Sequence, residues 1–122
     1  MHVGLVSCAP EMPLDVVAAL MSRERIHCVV ITNEELRGTA VWGVVSDVDL
    51  IAAASVRPLS EQEAAGSALR PAVTIEPAAS LDQAARLMTQ AGVAHLVVVD
   101  PVERRPVGVL STLDLAAAFA RP

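Results

Sequence analysis

The chain has 122 residues, 53% of them hydrophobic, with 9 basic and 14 acidic side chains and a net charge of −5. That is enough chain for one domain or for two small units sharing a core, and too apolar a composition for a disordered protein. The acidic balance, one Phe, one Trp and no Tyr leave neither the basic stripe nor the stacking platform of a nucleic-acid binder.

From the N-terminus, residues 5–8 read as a short extended piece ending near Pro10. Leu5-Val6-Ser7-Cys8 resembles a lipoprotein cleavage box, but four residues precede it without a charged or an apolar leader region, so it is rejected. Pro13 suits a first helical turn, and Leu14, Val17, Leu20 and Met21 form one helical face. The continuous apolar run 26–31 predicts a strand buried on both faces, followed by a polar turn and a second strand over 41–45. Ser46 then caps a helix running through 50–54. Within 57–70, Ser60-Glu61-Gln62-Glu63 has the form of a capping box and predicts a short connecting helix before Pro71. Residues 72–75 are again extended, and Ser80-Leu81-Asp82-Gln83 is a second capping box. It opens a helix whose apolar face is Leu81, Ala84, Ala85 and Met88. Strands over 93–99 and 106–110 follow, and Ser111 caps a last helix through 115–120. The longest apolar stretch is interrupted by Gly92, His95 and Asp100, short of the ~18 residues of a spanning helix. Cys8 and Cys28 have no C-x-x-C spacing and the three histidines are scattered, so we expect no metal site and read both thiols as reduced and buried in a cytoplasmic protein.

The chain repeats itself. An offset of 67 residues places Pro10, Leu14, Asp15, Leu20 and Met21 on Pro77, Leu81, Asp82, Leu87 and Met88. After two extra residues in the first half, Gly43, Ser46, Asp49 and Leu50 fall on Gly108, Ser111, Asp114 and Leu115. The expected organisation is a first β-α-β-β-α unit over 5–56, a connecting helical segment over 57–71 and a second unit over 72–120. The fold class is α/β (α+β), and units this small should pack on each other.

Val73-Thr74-Ile75-Glu76-Pro77, residues 81–88, the run from Gly92 to Asp100 and Gly108-Val109-Leu110-Ser111-Thr112-Leu113-Asp114-Leu115 together resemble the CBS domain, named after cystathionine β-synthase. The first half resembles it more loosely, through Pro10, residues 14–21 and 26–31, and Gly43-Val44-Val45-Ser46-Asp47-Val48-Asp49-Leu50. The resemblance spans about residues 5–120. It implies a Bateman module: two tandem repeats packed with pseudo-two-fold symmetry, commonly paired further into a homodimer. It also implies regulatory binding of an adenosine-type ligand (AMP, ADP, ATP, S-adenosylmethionine or a relative) in clefts between the repeats, with no required cofactor and no catalytic residues. By the same resemblance, Ser46, Asp49, Ser111 and Asp114 are ribose and phosphate contacts, and Thr112 lies between the second pair. The adenine slot would be built from Val73 and Ile75 with Val93, Ala94 and His95, and in the first repeat from Ile26 and Cys28.

The glycine-to-aspartate element has a chemistry of its own. A glycine permits close backbone approach on the strand. A helix starting at the serine offers N–H donors and a partial positive charge suited to phosphate. An aspartate in that first turn can accept from both hydroxyls of a ribose. Ordinary capping explains the same Ser-x-x-Asp pattern, and the two roles are compatible. The apolar slot residues also read as core, and His95 as a hydrogen-bonded structural histidine.

The sequence departs from the family pattern in ways that bear on the ligand. Where many relatives carry Arg between the serine and the aspartate, this chain has Asp47-Val48 and Thr112-Leu113. Asp47 would repel a phosphate. Val30 and Val97 replace a usual proline, Arg25 stands where the second repeat has Gly92, and Cys28 where it has His95. The first repeat is the more divergent, so the Asp114 site and a ligand of low charge are favoured. The alternative is a ligand-free pair serving as a structural dimerisation or interaction module, for which the Ala-rich last helices are suited. Expected partners are a second copy, an adenosine-type small molecule and a regulated enzyme or transporter, with no nucleic acid and no membrane insertion.

Overall fold

Two strands of this chain, 38–46 and 105–111, each end at a serine that is also the N-cap of the next helix. The computed structural model describes residues 2–3, 5–35, 38–69 and 71–121. The elements are β1 (His2–Val3), β2 (Ser7–Cys8), α1 (Leu14–Glu24), β3 (Cys28–Glu35), β4 (Gly38–Ser46), α2 (Asp47–Ala54), a 3-10 turn (Leu59–Glu61), α3 (Ala64–Ser67), β5 (Thr74–Ile75), α4 (Leu81–Ala91), β6 (His95–Asp100), β7 (Arg105–Ser111) and α5 (Thr112–Phe119). They form two units. One is Val6–Ala72; the other begins at Val73 and includes the N-terminal strand β1. The architecture is the expected mixed α/β one, with a β-α-β-β-α order in each unit.

The first unit carries a sheet of order β2-β3-β4 and the second a sheet of order β1-β7-β6-β5. β2 runs parallel to β3 and β5 parallel to β6, while β3–β4 and β6–β7 are antiparallel hairpins. The registers match across the repeat. Cys28 faces Ser46 as His95 faces Ser111, and Ile31 faces Gly43 as Val98 faces Gly108. Both hairpins then shift register, after Ile31 and after Val98, so that Trp42 and Val107 each occupy a bulge.

Burial follows the apolar runs. Cys28, Val29, Val30 and Ile31 are all buried, as are Leu96, Val97 and Val98, which is what unbroken apolar strands require. In the first unit Leu14, Val17 and Met21 of α1 pack with Val29, Ile31, Val45, Leu50 and Ala53. In the second, Ala84 and Met88 of α4 pack with Leu96 and Leu115.

The first hairpin is longer than its apolar pattern predicts. β3 continues to Glu35 and β4 starts at Gly38, because pairing there uses backbone groups that hydropathy does not register. Ser80 makes the expected box with Gln83, but Pro13 is the N-cap of α1 rather than a residue of its first turn. Arg25 and Gly92 end α1 and α4 in the same left-handed conformation, with φ of 55° and 66°.

The capping box expected at Ser60 and Glu63 does not form. Pro58 precedes the 3-10 turn, and Glu63 precedes α3 without a side-chain cap. Gln62 instead uses its side chain, Nε2 donating to the carbonyls of Ala53 and Arg57 at 2.9 Å each, so it ties down the end of α2. Backbone bonds from Leu14 to Gln62, Ala64 to Met12 and Ala65 to Pro10 fasten this segment onto the first unit, where Ala64 is fully buried.

Each hairpin receives one further backbone partner on its outer edge. Val44 and Leu69 exchange two hydrogen bonds of 3.1 and 2.8 Å, and His2 and Val3 pair with Val109 and Gly108. Residues 2 and 69 are related by the same 67-residue offset as the helices. Both edges are thus covered by the stretch that precedes a repeat. Gly43 is required by this arrangement. A Cβ there would stand 2.7 Å from the Leu69 carbonyl oxygen, whereas one at Gly66 would meet nothing within 4 Å. Gly43→Ala should therefore destabilise the fold by roughly 1–3 kcal/mol, because backbone must move. Gly66→Ala should be neutral or slightly stabilising, and urea denaturation of the two variants checks the contrast.

Candidate functional site

Ser46 closes β4 and opens α2 with no residue between. The Asp49 carboxylate reaches back three residues, and its Oδ2 accepts from the Ser46 N–H at 2.8 Å and from the Ser46 hydroxyl at 2.9 Å. The Asp49 N–H donates to Ser46 Oγ at 3.3 Å. Ser111 and Asp114 repeat this with 2.7, 2.9 and 3.2 Å. Each is a complete reciprocal capping box. Among the described residues Asp49 Oδ1 accepts no hydrogen bond, so one oxygen of that carboxylate is left for an outside donor.

The strand register then decides which other candidates lie close. Cys28 is opposite Ser46 and His95 opposite Ser111. One step further along each ladder, the Asp47 N–H donates to the His27 carbonyl at 2.9 Å and the Thr112 N–H to the Ala94 carbonyl at 3.0 Å. Ser46, Cys28, Asp49 and, in the second unit, Ala94, His95, Ser111, Thr112 and Asp114 therefore gather at two equivalent junctions. His95 is half-buried and Thr112 exposed. The apolar candidates sit differently. Val73, Ile75 and Val93 are half-buried against the core of the second unit, and Ile26 against that of the first. Gly43, expected to admit a close approach, is approached by the chain's own Leu69.

Sequence reasoning did not find the pair at the first junction. Asp47 Oδ2 lies 3.0 Å from His27 Nδ1, and Asp47 Oδ1 accepts from the Val48 N–H at 2.9 Å. The signal was present only as register: His27 precedes Cys28 and Asp47 follows Ser46, so the pair extends the ladder by one rung. The second unit has Ala94 and Thr112 there.

Electrostatics separates the groups. Burial raises the Asp114 carboxyl, hydrogen bonds from the Ser111 N–H and hydroxyl lower it, and the net is below the ordinary aspartate value. It is ionised at neutral pH, and the stability this shift contributes is present above the unfolded pKa and lost as pH falls through the folded one. Burial pushes the Cys8 thiol up to about 11, and burial with the Asp49 and Asp47 carboxylates pushes Cys28 up to about 12. Both cysteines are free and buried. Neither is a nucleophile at neutral pH. In native protein both thiols should react with a disulfide reagent at least about tenfold more slowly than after denaturation; fast labelling of Cys28 would show that its site opens.

No group of three or more metal-ligating side chains exists among the described residues, and no described helix is long and apolar enough to cross a membrane.

Two stretches, 1–56 and 66–121, each match the family model of the CBS domain. The chain belongs to that family as a tandem pair. No curated protein matches it. Among solved structures it is similar to the CBS-domain protein ATU1752 of Agrobacterium tumefaciens, at 22% identity and a TM-score of 0.80, covering 96% of this chain and 90% of that one. It is also similar to the CBS domain pair of MJ0100, determined with 5′-methylthioadenosine and S-adenosyl-L-methionine, at 18% identity and a TM-score of 0.82, covering 98% and 94%. A third is PAE2072 of Pyrobaculum aerophilum, complexed with AMP, at 25% identity and a TM-score of 0.80, covering 93% and 85%.

Proposed function

We propose that this CBS pair is a regulatory sensor, not an enzyme, that binds an adenosine-type ligand at the Ser46–Asp49 and Ser111–Asp114 junctions. The observation that carries the reading is the doubled junction. In each repeat a carboxylate is held rigidly by its own serine, at a helix start, beside the first residues of a buried strand. At Asp49, whose Oδ1 accepts no bond among the described residues, such a group can accept from a ribose hydroxyl without being reorganised first. The adenosine ligands bound by MJ0100 and PAE2072 support the ligand class. Ile26, Cys28, Val73, Ile75, Val93, Ala94 and His95 are the residues proposed to face the base, and Thr112 to border the second site. The ligand would regulate by favouring one of two arrangements of the module or of what it is joined to.

A thermal-shift series with adenosine, AMP, ADP, ATP, NAD and S-adenosylmethionine tests this. Ligand at about 100 times its Kd stabilises by about 2.7 kcal/mol, which is roughly 10 °C for a chain of this size. The shift should be lost or halved in Asp49→Ala or Asp114→Ala. Flat curves at millimolar ligand would end the sensor reading for these compounds.

A second reading, a ligand-free dimerisation module, is favoured by the helix surfaces. Val48 and Ile51 on α2 are 69% and 73% exposed, and Leu113 and Phe119 on α5 are 71% and 57%. Val48 and Leu113 stand at equivalent positions of the two repeats, and apolar side chains of this size left in water on both last helices suit a self-association surface. In either reading the chain should be a homodimer by light scattering, and Ile51→Asp with Leu113→Asp should make it monomeric. A monomeric wild-type chain would remove the dimer from the proposal.

A further inference from the structure

The first turn of α2 has no N–H left to give. Asp47 N–H donates to the His27 carbonyl, Val48 N–H to Asp47 Oδ1 and Asp49 N–H to Ser46 Oγ. A helix start attracts anions through these donors, and here the chain's own oxygens hold all three. The Asp47 carboxylate fills the role an external anion would take, and His27 Nδ1 at 3.0 Å tethers its other oxygen. Asp49 adds a second carboxylate two residues on. Arg25 lines the same shallow groove of about 430 Å³ as His27, Asp47 and Ile51, yet pairs with neither carboxylate among the described residues. The equivalent turn of α5 is different. Thr112 N–H and Asp114 N–H are taken, but Leu113 N–H has no partner among the described residues, and the residue at the position of Asp47 is the neutral Thr112.

We propose that Asp47, tethered by His27, is a charge filter that excludes phosphate from the Ser46–Asp49 site and restricts it to adenosine-type ligands without phosphate. The inference rests on the adenosine-site reading above and adds the ligand class. An incoming phosphate finds no free N–H at this helix start and meets the Asp47 carboxylate beside Ser46, so it loses affinity that an uncharged ribose 5′ end does not.

Calorimetric titration of the 122-residue chain separates the two claims. Asp114→Ala silences the second site, and in that background adenosine should still bind while AMP and ATP bind at least about tenfold more weakly. Replacing Asp47 by Thr, its counterpart in the second repeat, should bring AMP to within about threefold of adenosine. Asp47→Asn keeps the side-chain shape and the bond from the Val48 N–H, and should give the same change if Asp47→Thr unfolds the helix start. Equal binding of AMP and adenosine in Asp114→Ala, or an unchanged ratio in the Asp47 variants, would overturn the filter. Binding by wild-type chain that vanishes for every compound in Asp114→Ala would also overturn it, since the first site would then take nothing, while leaving the sensor reading standing at the second. Wild-type chain that binds no adenosine compound removes both.

Discussion

A strand that becomes a helix without an intervening residue must satisfy its first N–H groups from within one turn or from the strand beside it. The two strand-to-helix junctions of this protein, and the sites proposed at them, depend on that constraint. The solution at Ser46 and Ser111 is the same reciprocal pair, with carboxylate oxygens 2.7 to 2.9 Å from the serine N–H and hydroxyl. The bonds hold the aspartate in one place, so a group otherwise free on a surface helix becomes a fixed acceptor. Capping and the proposed recognition would therefore share one structure: the interaction that starts the helix also fixes the direction of the carboxylate.

The hairpin supplies the second half of the arrangement. Because Cys28 pairs with Ser46 and His95 with Ser111, the first residues of each buried strand lie beside the carboxylate. The bulges at Trp42 and Val107 come at the same step, so both copies shift register alike. Against this shared frame the differences stand out. One rung beyond the serine, the first copy has a histidine–aspartate pair and the second an alanine and a threonine. Two junctions built on one backbone plan thus carry different charge.

Much of the fold was legible because it is local. Helix starts at Ser46, Ser80 and Ser111 follow from a side chain and an N–H three residues apart. Strands 28–31 and 96–98 follow from unbroken apolar runs. The misreadings were non-local or backbone-borne. The Ser60–Glu63 pattern had the spacing of a cap, but Pro58 starts a 3-10 turn and Gln62 is drawn to the carbonyls of Ala53 and Arg57. Pairing of residues 32–35 with 38–41 continues through polar side chains, where no hydropathy pattern marks it. Gly43 was read as room for an approach, and only the fold shows that Leu69 makes it.

The sequence by itself determined the family, the doubling of the unit, the helix caps and the identity of the two serine–aspartate pairs, since each rests on spacing within one turn or on a repeat of side-chain types. Only the tertiary structure decided what those pairs face. The Leu69 and His2–Val3 segments cover the hairpin edges, and His27 meets Asp47, through hydrogen bonds between residues 20 or more apart in the chain. Such contacts leave no periodic trace, because a ladder partner is chosen by register and not by the chemistry of its neighbours in sequence.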